Sequence, residues 1–568
     1  MFVMTGPRPW LIHYPEGVPA DVELPEKSVA TLISDAAAAD PKAVATSFFG
    51  ATMTYGKLYD QVMRAARYLS NLGVGPGDRV ALVLPNCPQH MVAFYAIMRL
   101  GAIAVEHNPL YTARELRHMF EDHAARVAIC WDAAVPKLRS QPGDIELDEI
   151  ISVNLTHAMP PIKSWALRLP LPNLRRLRRQ LTAKAPHTTP WEKVISGQPL
   201  RDSFPQSDPD ELAVIQYTSG TTAQPRGAML THRNLYVNAL QARAWLLGMK
   251  EGKETFYAVL PMFHSFGLTL AMTEGVLMRG KIVLFPTFDP ALVLSEARHN
   301  PPTVLGGVPP MFAALAALAR ARRIRLDSAR LNFSGAMGLT QEVADLWTST
   351  GGQPLLEGYG MTEAAPVLFG NPLSDERRIG TIGVPFPNVE AKVVDPDNPS
   401  IEVGPGERGE LLVRGPNVFV GYWNNPVETA HTLLTDGWMR TGDIVTMDAD
   451  GFTTIVDRKK ELIITGGFNV APTEVEAVLR GHPAVADVAV IGIPDPRRGE
   501  LVAAAVVLKP DVDLDEADIR AFAKQRLAGY KVPRRVFAVD DLPKSMLGKV
   551  LRSKVRDELS DRLAAETA

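Results

Sequence analysis

Between Thr54 and Trp131 the chain alternates two textures, and that alternation restricts its fold more than any other feature. Leu58, Val62, Ala65, Ala66 and Leu69 recur at helical spacing, with Gly73 as a natural stop. Arg79–Leu84 then reads as a buried strand, Pro88–Arg99 as a second helix, and Ala102–Glu106 as a further strand. Thr112-Ala-Arg-Glu115 has the capping-box pattern of a helix start, and Arg126–Trp131 is again strand-like. Short apolar runs alternating with helical patterns imply parallel βαβ units whose ligand loops lie at the strand ends. The expected class is α/β.

A chain of 568 residues is too long for one core and should divide into domains. After Gly451 the texture changes. Val485–Gly492 and Leu501–Leu508 read as strands, Asp515–Leu527 as a helix, and Arg534–Val539 as a strand before a charged terminal helix. That is an α+β module of about a hundred residues. The charged stretch Asp457-Arg-Lys-Lys-Glu461 suits a solvated hinge, so domains are expected at 1–457 and 458–568.

Hydrophobic residues at 46% and charged residues at 22% are globular values, so disorder should not dominate. Lys and Arg total 60 against 63 acids, a net charge of −3, and no global positive field favours nucleic acid. Cys87 and Cys130 are the only cysteines, with no CxxC pair or Cys/His cluster, so neither a disulfide framework nor a zinc site is indicated and a reducing, cytoplasmic setting fits. Met1–Tyr14 is interrupted by Pro7 and Pro9 and does not read as a signal peptide. Met91–Val105, broken by Arg99, is too short to span a bilayer.

The segment 163–184 interleaves Trp165, Leu167, Leu169, Leu171, Leu174 and Leu177 with Arg168, Arg175, Arg176, Arg178 and Arg179. It fits either a surface that settles peripherally on anionic lipid at the inner membrane face or a solvated basic helix over the domain flank. Pro170 and Pro172 limit a continuous amphipathic helix and favour the second. A homodimer stays open.

Tyr217–His232 carries the chemistry. Thr218-Ser219-Gly220-Thr221-Thr222 places five small hydroxyl or glycine residues in a row, with Arg226 close behind. Backbone N–H groups and hydroxyls in such a run approach phosphate oxygens closely, so it reads as a phosphate cradle. The spacing is not that of a Walker A loop.

Six further motifs follow in order: Pro261-Met-Phe-His-Ser-Phe-Gly267, Ser334-Gly-Ala-Met-Gly338, Glu357-Gly-Tyr-Gly-Met-Thr-Glu363, Thr441-Gly-Asp443, Asp457–Gly467 and Pro543-Lys-Ser-Met-Leu-Gly-Lys549. With the cradle they resemble, over essentially the whole chain, the adenylate-forming superfamily of acyl-CoA synthetases, peptide-synthetase adenylation domains and luciferases. The resemblance implies a large N-terminal domain of βαβ layers with a β-barrel-like part, and a smaller mobile α+β C-terminal domain. It also implies ATP, Mg²⁺ and coenzyme A.

The roles it implies follow chemical sense. A carboxylate attacking the α-phosphate of ATP meets anionic repulsion, and Lys549 would bridge the two, with Gly548 letting its loop enter the cleft. Glu363 would hold Mg²⁺, with Thr362 and Thr218 at the phosphates; a helix-start acid is the plainer reading of Glu363. Gly335 and Ala336 would form the adenine slot against Tyr359, in a motif that also supplies Glu357, Gly358 and Gly360. Asp443 and Arg458 would take the ribose. His264 fits either the carboxylate entrance or a packed core. Rotation about Lys460 would bring Thr465, Gly466 and Gly467 to the pantetheine channel for the thioester step. Two positions depart from the pattern. Ala223 stands where glycine is usual, costing about 1 kcal/mol if its φ is positive, and Arg226 stands where lysine is usual.

Pro9–Pro15, Asn108–Leu116 and Gly466–Val470 are most similar to bacterial long-chain fatty-acid CoA ligases. The expected reaction is activation of a medium- to long-chain fatty acid to acyl-AMP and its transfer to coenzyme A. A fatty acyl-AMP ligase loading a carrier protein, a CoA ligase for an aryl acid, and a weakly catalytic nucleotide-binding protein are the alternatives. Val304–Ala316 is expected to line an apolar tunnel, where each methylene is worth about 0.8 kcal/mol.

Overall fold

Leu58, Val62, Ala65, Ala66 and Leu69 form the buried stripe of the helix Tyr55–Asn71, which packs on the helix Pro88–Arg99. Every residue of that second helix is buried. It rests on the strands Arg79–Val83 and Ile103–Glu106, and the Tyr95 hydroxyl reaches the carbonyl of Met272 in a π-helical turn, Leu268–Glu274. A computed structural model describes residues 8–567 except 142, 144, 202, 219–224, 459–460, 466–467, 496–498 and 546–547.

The chain divides into two compact units. The first comprises Met1–Glu390 with Arg414–Met439, and the second comprises Ala391–Val413 with Arg440–Ala568. The 457/458 boundary expected from the sequence falls inside the second unit.

The first unit holds two large sheets. One has eight strands in the order Gly421–Tyr422, Arg226–Thr231, Leu212–Thr218, Ile103–Glu106, Arg79–Val83, Val127–Trp131, Glu149–Val153 and Thr189–Pro190. Its centre is parallel as expected, for example Val80↔Ala104 and Ala81↔Ala128. Leu212–Thr218 and Arg226–Thr231 are antiparallel, pairing Thr218 with Arg226. The other sheet has nine strands, with Leu355–Gly360, Leu331–Ser334, Val304–Gly307, Thr255–Ala258 and Lys281–Leu284 in its middle.

The second unit carries a four-stranded sheet ordered Glu390–Val394, Arg408–Arg414, Met439–Met447 and Thr453–Arg458. Its five-stranded sheet is built on the long pair Val485–Asp495 and Gly499–Leu508, with Arg535–Ala538 parallel to the latter. The period of two along Val488–Ile491 splits its core. Val488 and Val490 join Val475, Leu479 and Ile519 in one cluster, whereas Ala489 and Ile491 join Phe537, Val555 and Leu559 in another.

The segment 163–184 forms two helices, Pro161–Ala166 and Pro172–Leu181. Among the described residues no helix is long and apolar enough to cross a membrane.

Candidate active site

The strand Leu212–Thr218 ends at the cradle, whose residues Ser219, Gly220, Thr221, Thr222 and Ala223 lie outside the described residues. Its flanks are defined. The Thr218 hydroxyl donates to the carbonyl of Arg226 at 3.4 Å, and Tyr217 donates to Asp122 at 2.7 Å. Gly227 is required beside them, because a Cβ there would lie 2.8 Å from Ile215 Cγ2.

Arg226 does not stand as a lone phosphate cation. It forms an ion pair with Glu428, and its guanidinium lies 4.8 Å over the ring of Tyr422. The Tyr422 hydroxyl in turn donates to Glu363 Oε1 at 2.7 Å. Burial and the Glu363 charge push the phenol far above its ordinary value, so it stays a donor. Glu363 is 7% exposed, and among the described residues its Oε2 has no hydrogen-bond partner. Phe419 N–H donates to the Glu363 carbonyl at 2.8 Å, and Asn417 Nδ2 to that of Ala364 at 2.8 Å, fixing the turn Thr362–Ala364 from outside.

The Pro261–Gly267 turn is stitched to the same place. Gln216 Nε2, on the cradle strand, donates to the Phe263 carbonyl at 3.0 Å, and Asn86 accepts the Met262 N–H at 2.7 Å. Ser265 Oγ lies 3.4 Å from Thr362 Oγ1. His264 Nδ1 accepts the Phe266 N–H at 3.3 Å, which leaves the proton on Nε2. Burial lowers this half-buried imidazole to about 4, so it is neutral at pH 7.

Gly267 allows the turn to close. A Cβ there would lie 2.6 Å from the carbonyl carbon of Pro261 and 3.0 Å from the Leu260 oxygen, both backbone atoms with no rotamer escape. Gly267→Ala is expected to lower stability by about 1–3 kcal/mol in urea unfolding. Gly338→Ala, with nothing within 4 Å of the added Cβ, should match the parent midpoint.

Gly335 and Ala336 follow the strand Leu331–Ser334. A Cβ on Gly335 would approach Phe266 at 3.1 Å and the Gly358 carbonyl at 3.3 Å, so this corner tolerates only glycine without adjustment. Ala336 is exposed with φ 65°, a left-handed conformation that costs a non-glycine residue about 1 kcal/mol. Tyr359 is half-buried and meets Phe369 edge-on at 6.0 Å, while Gly360 abuts the Pro366 carbonyl. Glu357 uses its carboxylate on the protein's own backbone, accepting from Leu339 N–H at 2.9 Å and Gly380 N–H at 3.1 Å. Burial pushes that carboxyl up to about 7. Its side chain braces the backbone at Leu339 and Gly380. The space beside Gly306 is filled by Leu270 and Phe333, each 2.7 Å from an added Cβ, so this glycine serves close packing.

In the second unit Asp443 is buried and pairs in register with Arg458, whose side chain is outside the described residues. Lys460, Gly466 and Gly467 are likewise outside, and Thr465 is buried opposite Phe468 and Gly499. Lys549 is half-buried on a tight turn: Ser545 N–H donates to its carbonyl at 2.7 Å, and its own N–H donates to Ser545 Oγ at 3.2 Å. Gly548 has φ 77°, which this turn needs. Three residues on, Arg552 pairs with Glu461, next to Lys460, and with Glu476 at 2.9 Å.

Tyr422, Glu428 and Arg552 carry no sequence signal of a site. None of them lies in a quoted motif, and only the pairing of Tyr422 with Ala228 across the sheet brings the first near Arg226.

Residues 33–423 match the family model described as AMP-binding enzyme, and residues 474–549 match that of the AMP-binding enzyme C-terminal domain. The chain is 36% identical over 556 residues to a long-chain-fatty-acid–CoA ligase of Bacillus subtilis, covering 98% of this chain and 99% of that protein. It is 38% identical to one of Salmonella typhimurium, covering 97% and 98%. The structure of ATP-bound MatB from Rhodopseudomonas palustris superposes with a TM-score of 0.80 at 30% identity, covering 94% of this chain and 99% of that one. By both its large and its small matched regions, the chain belongs to the AMP-binding enzyme family.

Proposed function

We propose that this chain activates a medium- to long-chain fatty acid with ATP and passes the acyl group to coenzyme A. In the first step a carboxylate oxygen attacks the α-phosphorus and pyrophosphate leaves. In the second the sulfur of coenzyme A attacks the acyl carbonyl and AMP leaves. The observation that carries the reading is Glu363, a buried carboxylate with one oxygen held by Tyr422 and the other without a hydrogen-bond partner among the described residues, beside Thr362 in the unit that bears the cradle. The full-length similarity to fatty-acid CoA ligases supports the choice of substrate.

An oxygen donor of this kind suits Mg²⁺, which is commonly held by one or two carboxylates together with substrate phosphates. When bound, Mg²⁺ neutralises triphosphate charge. In this reading the cradle and Thr218 hold phosphate oxygens, Gly335, Ala336 and Tyr359 take adenine, and Asp443 and Arg458 take the ribose. Lys549 bridges acid and α-phosphate. Residues 458–568 then turn about Lys460, and Thr465–Gly467 face the pantetheine.

The test is AMP release over acids of graded chain length and an aryl acid, each with and without coenzyme A. Release should rise with chain length and depend on coenzyme A. Robust turnover only with an acyl carrier protein, or only with the aryl acid, would overturn the assignment.

A further inference from the structure

Residues 163–184 contain seven basic side chains and no acidic one, in a chain whose net charge is −3. The two prolines that argued against an amphipathic element in the sequence do not interrupt a helix. Pro170 lies in the bend between the two helices, and Pro172 occupies the first turn of the second, where a missing N–H costs nothing. The resulting pair is pinned from below. Leu167 and Leu181 are buried, Lys163 Nζ donates to the Phe49 carbonyl at 2.7 Å, and Trp131 Nε1 donates to the Leu181 carbonyl at 3.1 Å.

What this pinning leaves outward is unusual in combination. Arg168, Arg175, Arg176, Arg178 and Arg179 are exposed, and none forms an ion pair among the described residues. Beside them Ile162 is 82% exposed, Trp165 62% and Leu171 54%. Ile162 and Trp165 are three residues apart on one short helix and so share a side. A solvated basic helix accounts for the arginines but not for three large apolar side chains in water within ten residues of each other.

We propose that residues 161–181 form a docking surface for an anionic lipid bilayer. Guanidinium groups match headgroup phosphates in bidentate geometry. Indole settles at the headgroup level, and Ile162 and Leu171 enter the acyl boundary. A nucleic acid also attracts the arginines, but it offers no apolar phase to Ile162 and Leu171, so the bilayer is the occupant that uses both features. The proposal does not depend on the reaction assigned above.

The test floats the full-length protein with vesicles of phosphatidylcholine alone or mixed with phosphatidylglycerol. Flotation is expected with the mixed vesicles only and should fall as salt is raised. Replacing Arg175, Arg176, Arg178 and Arg179 together by Gln should weaken partitioning on the order of a hundredfold or more. Trp165→Ala should weaken it about tenfold and remove the vesicle-induced blue shift of tryptophan emission. Both variants should keep the parent circular dichroism spectrum and the parent turnover of a short, water-soluble acid. Equal flotation with phosphatidylcholine, unchanged flotation of the arginine variant, or retention on RNA without flotation would each overturn the proposal.

Discussion

Lys549→Ala is expected to lower fatty-acid-dependent ATP–pyrophosphate exchange by about 10²–10³-fold, the cost of removing one preorganised charge from a transition state that gathers negative oxygens. The carboxylate and the α-phosphate repel each other until a cation stands between them, and no hydrogen-bonded neutral group replaces that charge. Lys549 sits on a turn fixed by Ser545 and by the left-handed Gly548, so removing its side chain leaves the turn's backbone bonds intact. Thermal stability should therefore stay at the parent value. Thioester formation from supplied acyl-AMP should fall far less, because the carbonyl is already activated when the thiol attacks. Lys549→Arg should recover little, since a planar fork does not replace a compact ammonium. An equal loss in both half-reactions would show that Lys549 holds the module together and does not act at the α-phosphate.

The parallel core was legible because it obeys local rules. The stripe from Leu58 to Leu69, the run Arg79–Val83, and the Thr112–Glu115 box all appear where their periods place them, with ends shifted by a residue or two. In the box Thr112 Oγ1 accepts the Glu115 N–H at 3.2 Å and Glu115 returns the bond at 2.8 Å. The small module was readable for the same reason, through its alternating strands. The antiparallel turn around the cradle follows from a rule about length that periodicity does not contain. Residues 219–225 are too few for a parallel crossover, which needs a dozen or more. Glu357 shows the opposite limit. Its motif announced a nucleotide contact, yet its carboxylate faces Leu339 and Gly380, partners 18 and 23 residues away along the chain. The chain from Glu428 through Arg226 and Tyr422 to Glu363 joins residues far apart in sequence, and no local pattern encodes it.

That chain supplies the sharpest separation between a metal-holding carboxylate and an ordinary acid at a helix start. Glu363→Gln keeps the shape and still accepts from Tyr422, but removes the charge that a hard cation needs. We expect kcat/KM to fall on the order of a hundredfold, about 3 kcal/mol, with half-maximal rate displaced to higher Mg²⁺. Tyr422→Phe keeps the charge and removes its orienting bond, leaving Glu363 Oε1 without its buried donor. A hydrogen bond to a charged group is worth about 1.5–3 kcal/mol, so the Mg²⁺ concentration for half-maximal rate should rise about tenfold or more. Saturating Mg²⁺ should restore most of the rate in Tyr422→Phe and little of it in Glu363→Gln, because only the first still owns the ligand. If both variants kept the parent Mg²⁺ profile and lost only stability, Glu363 would be serving the dipole of its own short turn, and the phosphate-binding assignment would have to move to other oxygens.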